Sequence, residues 1–182
     1  HSGGAGRAVD DAGQEWTGSG GSAGLALASG TDAQVAARLV VATGTGWFDS
    51  AGAQDRTPDR PSALVLGAHG PSKGLLAVAM SRGPTALQVG PLTWDRPRDT
   101  DEAGFALVVA DVDWDGDEEW LVGAPGSGLV HVLDAASLSE EATLSVAGGR
   151  FGAALAVADV DGDGVDDVLI GASGFDGGGR AF

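Results

Sequence analysis

Short apolar runs, bounded by Gly, Pro or Asp, recur along the second half of this chain: 105–110, 120–123, 129–133 and roughly 142–146 form one set. Runs of this length, rich in Val and Leu, suit strands buried on both faces. Gly and Asp punctuate every window in which a helical stripe of apolar residues could develop, so helix is disfavoured throughout. The pattern predicts an all-β chain of short strands joined by Gly-rich turns.

The pattern repeats. Sliding the chain on itself by 48 residues brings 104–124 (GFALVVADVDWDGDEEWLVGA) into register with 152–172 (GAALAVADVDGDGVDDVLIGA). Each copy has an apolar run, an acidic loop, a second apolar run and a closing Gly-Ala. A third copy is legible by its second half, where 63–78 matches 121–132 in pattern with a small length change. On this alignment 38–43 is the strand before the loop, and 47–61, with Asp49, Asp55 and Asp59 at other spacings, stands where the acidic loop should be. Sheets of four strands repeating every 40–50 residues are the mark of propeller blades.

The expected organisation is therefore a partial β-propeller of about three four-stranded antiparallel blades. Residues 1–37 form a Gly/Ser-rich lead-in or a poorly matched strand segment, its first 23 residues read as flexible. A degenerate blade without the acidic loop covers 38–100, a blade with the loop covers 101–148, and an incomplete blade with the loop covers 149–182. The chain opens on His1 rather than Met, and a processed form or an excerpt of a longer chain is expected. Three blades do not close a ring, so the remaining blades are expected on the same polypeptide or on another chain.

Charge sharpens this picture. Twenty-six acidic residues against ten basic ones leave a net charge of −16, which disfavours nucleic acid and anionic membrane as partners. No apolar run approaches the length of about 20 residues that spans a bilayer. There is no Cys, hence no disulfide frame and no thiolate chemistry; there is no Asn, hence no N-glycosylation acceptor, and the overall bias points to a GC-rich bacterial genome.

The acid is concentrated in the two loops. Counting from Asp159, carboxylates fall at positions 1, 3, 5 and 9 (Asp159, Asp161, Asp163, Asp167), with Gly164 at 6 and the backbone of Val165 at 7. The other loop offers Asp111, Asp113, Asp115 and Glu119, with Gly116 at 6 and Asp117 at 7. An alternating chain that turns sharply at Gly delivers several oxygens to one point, as a hard cation requires. The spacing is that of the first half of an EF-hand loop. Position 12 holds Val122 or Ile170 where that loop needs a bidentate Glu, and strands rather than helices flank it, so the EF-hand fold is excluded. Two Ca²⁺ sites are expected; Zn²⁺ would want Cys or His, and Mg²⁺ fewer carboxylates and more water.

Phe151-Gly152, the run 158–167 (ADVDGDGVDD) and Ile170-Gly171-Ala172 together resemble the FG-GAP repeat of integrin α subunits, which also occurs in the C-terminal part of glycosylphosphatidylinositol-specific phospholipase D and in bacterial secreted proteins. The resemblance covers about 62–182. The middle copy departs from it at Ala103-Gly104-Phe105 and follows it at Gly123-Ala124-Pro125. It implies Ca²⁺ held at the blade edge through the positions of Asp159, Asp161, Asp163, Val165 and Asp167, and an extracellular, secreted or cell-surface setting. The function expected is a calcium-binding interaction, adhesion or assembly module whose protein or glycan ligand is not specified. The alternative is the non-catalytic propeller portion of a larger secreted hydrolase. His69 and His131 read as surface or packing residues rather than bases, and the five Trp residues as packing, with Trp114 inside the acidic loop the one that invites another role.

Overall fold

The structure, a computed structural model, describes residues 61–182 continuously, together with six earlier strands. Those six are β1 (Gly6–Val9), β2 (Glu15–Gly18), β3 (Gly24–Ala28), β4 (Arg38–Thr43), β5 (Gly46–Asp49) and β6 (Gln54–Asp55). They are followed by β7 (Pro61–Leu66), β8 (Leu76–Met80), β9 (Thr85–Val89), β10 (Leu92–Asp95), β11 (Ala106–Ala110), β12 (Glu119–Ala124), β13 (Leu129–Asp134), β14 (Glu140–Ser145), β15 (Phe151–Ala158), β16 (Asp167–Ala172) and β17 (Arg180–Ala181). Among the described residues helical structure is limited to three short 3₁₀ turns. No described helix is long and apolar enough to cross a membrane.

Among the described residues every pairing between strands is antiparallel and sequential. A β1–β2 hairpin is followed by sheet I (β3–β6), sheet II (β7–β10), sheet III (β11–β14) and the three-stranded sheet IV (β15–β17). The first strands stand side by side, β11 against β7 and β15 against β11, as blades do around a propeller axis. The strands expected in the middle repeat are all present in sheet III. The first 23 residues, read as flexible, contain the paired strands β1 and β2, and 24–37 contains β3; the rest of 1–37, and residues 50–53 and 56–60, lie outside the described residues.

The third copy is assembled differently from the alignment that placed 63–78 over 121–132. In the structure 61–66 is the first strand of sheet II, 76–80 the second, and 67–75 occupies the place that the acidic loops hold in sheets III and IV. Strand β4 pairs with β3 and β5 instead of leading into β7. The reason is that Gly67-Ala68 follows a first strand whereas Gly123-Ala124 ends a second one, so the shared dipeptide misleads once the acidic loop that would orient the alignment is missing.

Alternation along the strands builds one core per seam. Trp120, Val122 and Leu133 point from sheet III towards Ala77, Ala79, Leu87 and Val89 of sheet II. Leu121, Val130 and Val132 point the other way, towards Phe151, Ile170 and Ala172 of sheet IV. Strand β12 is buried along its whole length because both faces are covered.

Gly104 and Gly152, 48 residues apart, seat each new sheet in the one before. Both have positive φ (87° and 86°). A Cβ on Gly104 would stand 2.3 Å from the Met80 carbonyl oxygen, and one on Gly152 would stand 2.5 Å from that of Leu129. Only glycine reconciles that conformation with that approach. The same offset relates the hydrogen bonds that hold the connectors, Gly126 N–H to the Asp101 carbonyl (2.9 Å) and Gly174 N–H to the Gly149 carbonyl (2.8 Å). Arg96 adds a clamp: its guanidinium donates to the carbonyls of Met80 (2.7 Å) and Ala103 (2.8 Å), tying the start of sheet III to sheet II.

Candidate metal centre

The two acidic loops link the first and second strands of sheets III and IV and lie at the same end of adjacent sheets. Their internal geometry is one design written twice. Asp111 Oδ1 accepts the Trp114 N–H (2.7 Å) and Oδ2 the Gly116 N–H (3.0 Å); Asp159 accepts from Gly162 (2.7 Å) and Gly164 (3.0 Å). Asp113 and Asp161 each accept an N–H two residues on at 3.2 Å. Asp115 and Asp163 do the same at 2.8 Å, with Asp117 and Val165 as donors. Glu119 and Asp167 each reach back to the N–H of Val112 or Val160 at 2.9 Å.

These bonds explain why the alternation matters. Asp side chains folded back onto nearby backbone N–H groups curl the chain, and the glycine at position 6 (φ 95° and 90°) turns it so that the remaining carboxylate oxygens converge. In one loop Asp111, Asp113 and Asp115, and in the other Asp159, Asp161 and Asp167, each present a ligand oxygen within 4.8 Å of the others. Between them the loops gather positions 1, 3, 5 and 9 of the expected set. Asp163 and Glu119 lie outside these triads and accept the N–H groups of Val165 and Val112. Asp117 and Val165 donate their own N–H groups into the loop, which leaves their carbonyls as the available backbone donors. An all-oxygen set of this kind fits a hard cation such as Ca²⁺.

Electrostatics point the same way. Burial pushes the Glu119 carboxyl up to about 7 from 4.5, and the charges of Asp113, Asp111 and Asp115 add to this, against the Val112 N–H bond that lowers it. A carboxylate held this high binds its proton more tightly in the folded chain than in the unfolded one. Between pH 4.5 and about 7 the metal-free fold therefore loses stability as pH rises. Melting in metal-free buffer should give a lower midpoint at about pH 8 than at about pH 5; a midpoint that climbs over that interval would contradict the assignment of the strain to Glu119.

Of the other sequence candidates among the described residues, Trp114 and His69 adjoin the 111–119 loop, while His131 and Trp120 are buried in sheet III. His131 is buried in β13, its Nδ1 2.7 Å from Glu140 Oε2 and its ring 4.9 Å from that of Trp94. Trp120 is fully buried between sheets II and III, while Trp114 is 68% exposed. Trp114 borders a cleft of about 450 Å³ between the two acidic loops, lined also by Asp111, Asp115, Val165 and Asp166. Sequence reasoning missed Glu118, which lies between two candidate ligands but is buried and turned towards sheet II.

The model of the FG-GAP repeat family matches residues 151–182, the whole of sheet IV with its acidic loop. No curated protein matches the chain.

Proposed function

We propose, taking the FG-GAP match of sheet IV as the premise, that this chain is a calcium-binding segment of a β-propeller that serves as an extracellular interaction or assembly module. The observation that carries the reading is the hydrogen-bond pattern that the two loops share. Four kinds of carboxylate-to-backbone bond recur at a 48-residue offset with the same lengths, although Trp114 and Asp117 stand where the other copy has Gly162 and Val165. The ligands proposed are Asp111, Asp113, Asp115, Glu119 and the Asp117 carbonyl for one Ca²⁺, and Asp159, Asp161, Asp163, Asp167 and the Val165 carbonyl for the other. The ion's role is to neutralise the clustered carboxylates and set the loops rigidly at one end of the sheets; extracellular Ca²⁺ modules work at ~10⁻⁴–10⁻³ M, where the ion is abundant.

Assembly is supported by the outer face of sheet IV. Leu169 there is 41% exposed, while its repeat counterpart Leu121 is fully buried beneath sheet IV. A further blade, on the same polypeptide or another chain, is the partner that such a face fits.

Calorimetric titration with Ca²⁺ tests the reading. Two sites per chain are expected, with Asp161→Ala removing one and Asp113→Ala the other. A wild-type chain that takes up no Ca²⁺ at millimolar concentration would sink it.

A further inference from the structure

Glu118 sits inside an acidic loop yet takes no part in its converging donors. The residue is 6% exposed, and its Oε2 accepts the N–H groups of Ala68 (2.8 Å) and His69 (3.0 Å). The hydroxyl of Ser72, fully buried, lies against the same oxygen and 2.6 Å from the His69 carbonyl, so its single proton serves one of the two. All three partners belong to 67–75, the loop that replaces an acidic loop in sheet II.

That loop is closed on itself by hydrogen bonds from Gly74 N–H to the Gly67 carbonyl (2.9 Å) and from Leu75 N–H to the Ser72 carbonyl (2.8 Å). It also lies directly against the acidic loop: a Cβ on Gly70 would stand 2.4 Å from Asp117 Oδ1. Two loops of neighbouring sheets thus meet at 117–118, and a buried carboxylate with several donors joins them. Its counterpart one repeat later, Asp166, is one methylene shorter and exposed.

We infer that Glu118 is a positioning residue that pins the 111–119 loop to sheet II and so raises the cation affinity of that loop, coupling its occupancy to the seam between sheets II and III. The inference rests on the calcium reading above. Glu118 is flanked in the chain by Asp117 and Glu119, positions 7 and 9 of the donor set. Holding it fixes both neighbours, and a loop already held loses less conformational freedom when it closes on an ion. The Asp159 loop lacks this anchor and should not respond.

The test uses Tb³⁺, which occupies oxygen-donor Ca²⁺ sites and emits when excited through a nearby indole; Trp114 supplies that indole within the 111–119 loop. In an Asp161→Ala background, which removes the other loop's binding, Ser72→Ala should weaken Tb³⁺ binding about tenfold. Ser72→Ala alters no charge, so a purely Coulombic role for Glu118 would leave that affinity unchanged. Glu118→Ala should weaken it further, and Glu118→Gln, which keeps the acceptor oxygen, should recover part of the loss. Hydrogen exchange at the Ala68 and His69 amides in metal-free protein should quicken in Glu118→Ala and not in Asp166→Ala. If the wild type takes up no Tb³⁺, the calcium reading falls and the coupling with it. If the wild type binds but Ser72→Ala binds equally well, the calcium reading stands and the positioning role is overturned.

Discussion

Chelating divalent cations should lower the melting midpoint of this chain by roughly 6–12 °C, and millimolar Ca²⁺ should restore it. Each site filled at about a tenfold excess over its dissociation constant, as millimolar Ca²⁺ gives for a ~10⁻⁴ M site, adds about 1.4 kcal/mol, so two add about 3. For a chain of this size 1 kcal/mol moves the midpoint by about 2–4 °C. The opposing state explains the size: without a cation the carboxylates of each loop face one another, and unit charges about 4 Å apart repel by about 1 kcal/mol even in water. Sodium chloride, which screens but does not coordinate, should recover only part of the loss. Superimposable melts in EDTA and in Ca²⁺ would remove the cation from any account of this fold.

Gly123→Val should be among the most damaging single changes in the chain, costing about 4 kcal/mol or more. A Cβ at Gly123 would stand 2.2 Å from the Gly152 carbonyl oxygen, so the substitution drives sheet IV off sheet III. Gly171→Val is the control. It occupies the same strand position one repeat later, and its nearest neighbour would be the Ala154 Cβ of its own sheet, 3.2 Å away. Both substitutions replace glycine with a strand-favouring residue, so any intrinsic gain is common to the two. Urea denaturation should show a large loss for the first and less than about 1.5 kcal/mol for the second. Equal losses would mean that sheets III and IV do not approach as described.

Reading 111–119 and 159–167 as twin loops needed no structure, because carboxylate spacing is written directly in sequence: positions 1, 3, 5 and 9 are chemistry before they are geometry. The strands of sheet III were equally legible, since each is a Val- or Leu-rich run between Gly-rich turns. Sheet II was not. Its first strand carries a Gly-Ala ending that in sheet III belongs to the second strand, and only pairing between 61–66 and 76–80 resolves which it is. Glu118 was hidden for a different reason. Its partners are 46 to 50 residues away in a loop whose sequence matches neither acidic loop, and what marks it in sequence is only a carboxylate outside positions 1, 3, 5 and 9.

The seating of Gly104 and Gly152 bears on how such a chain acquires its structure during synthesis. The pocket that accepts each glycine is made by the turn between the second and third strands of the preceding sheet. A nascent chain leaving the ribosome therefore meets a finished receptor only after that sheet has emerged, and each sheet then templates the next. The loops closed in this way are a few tens of residues long, so every step is a local search, although the sheets so joined extend from 61 to 182. Growth from the N-terminal side leaves one unseated sheet at a time, which shortens the interval in which its strands can find the wrong neighbour.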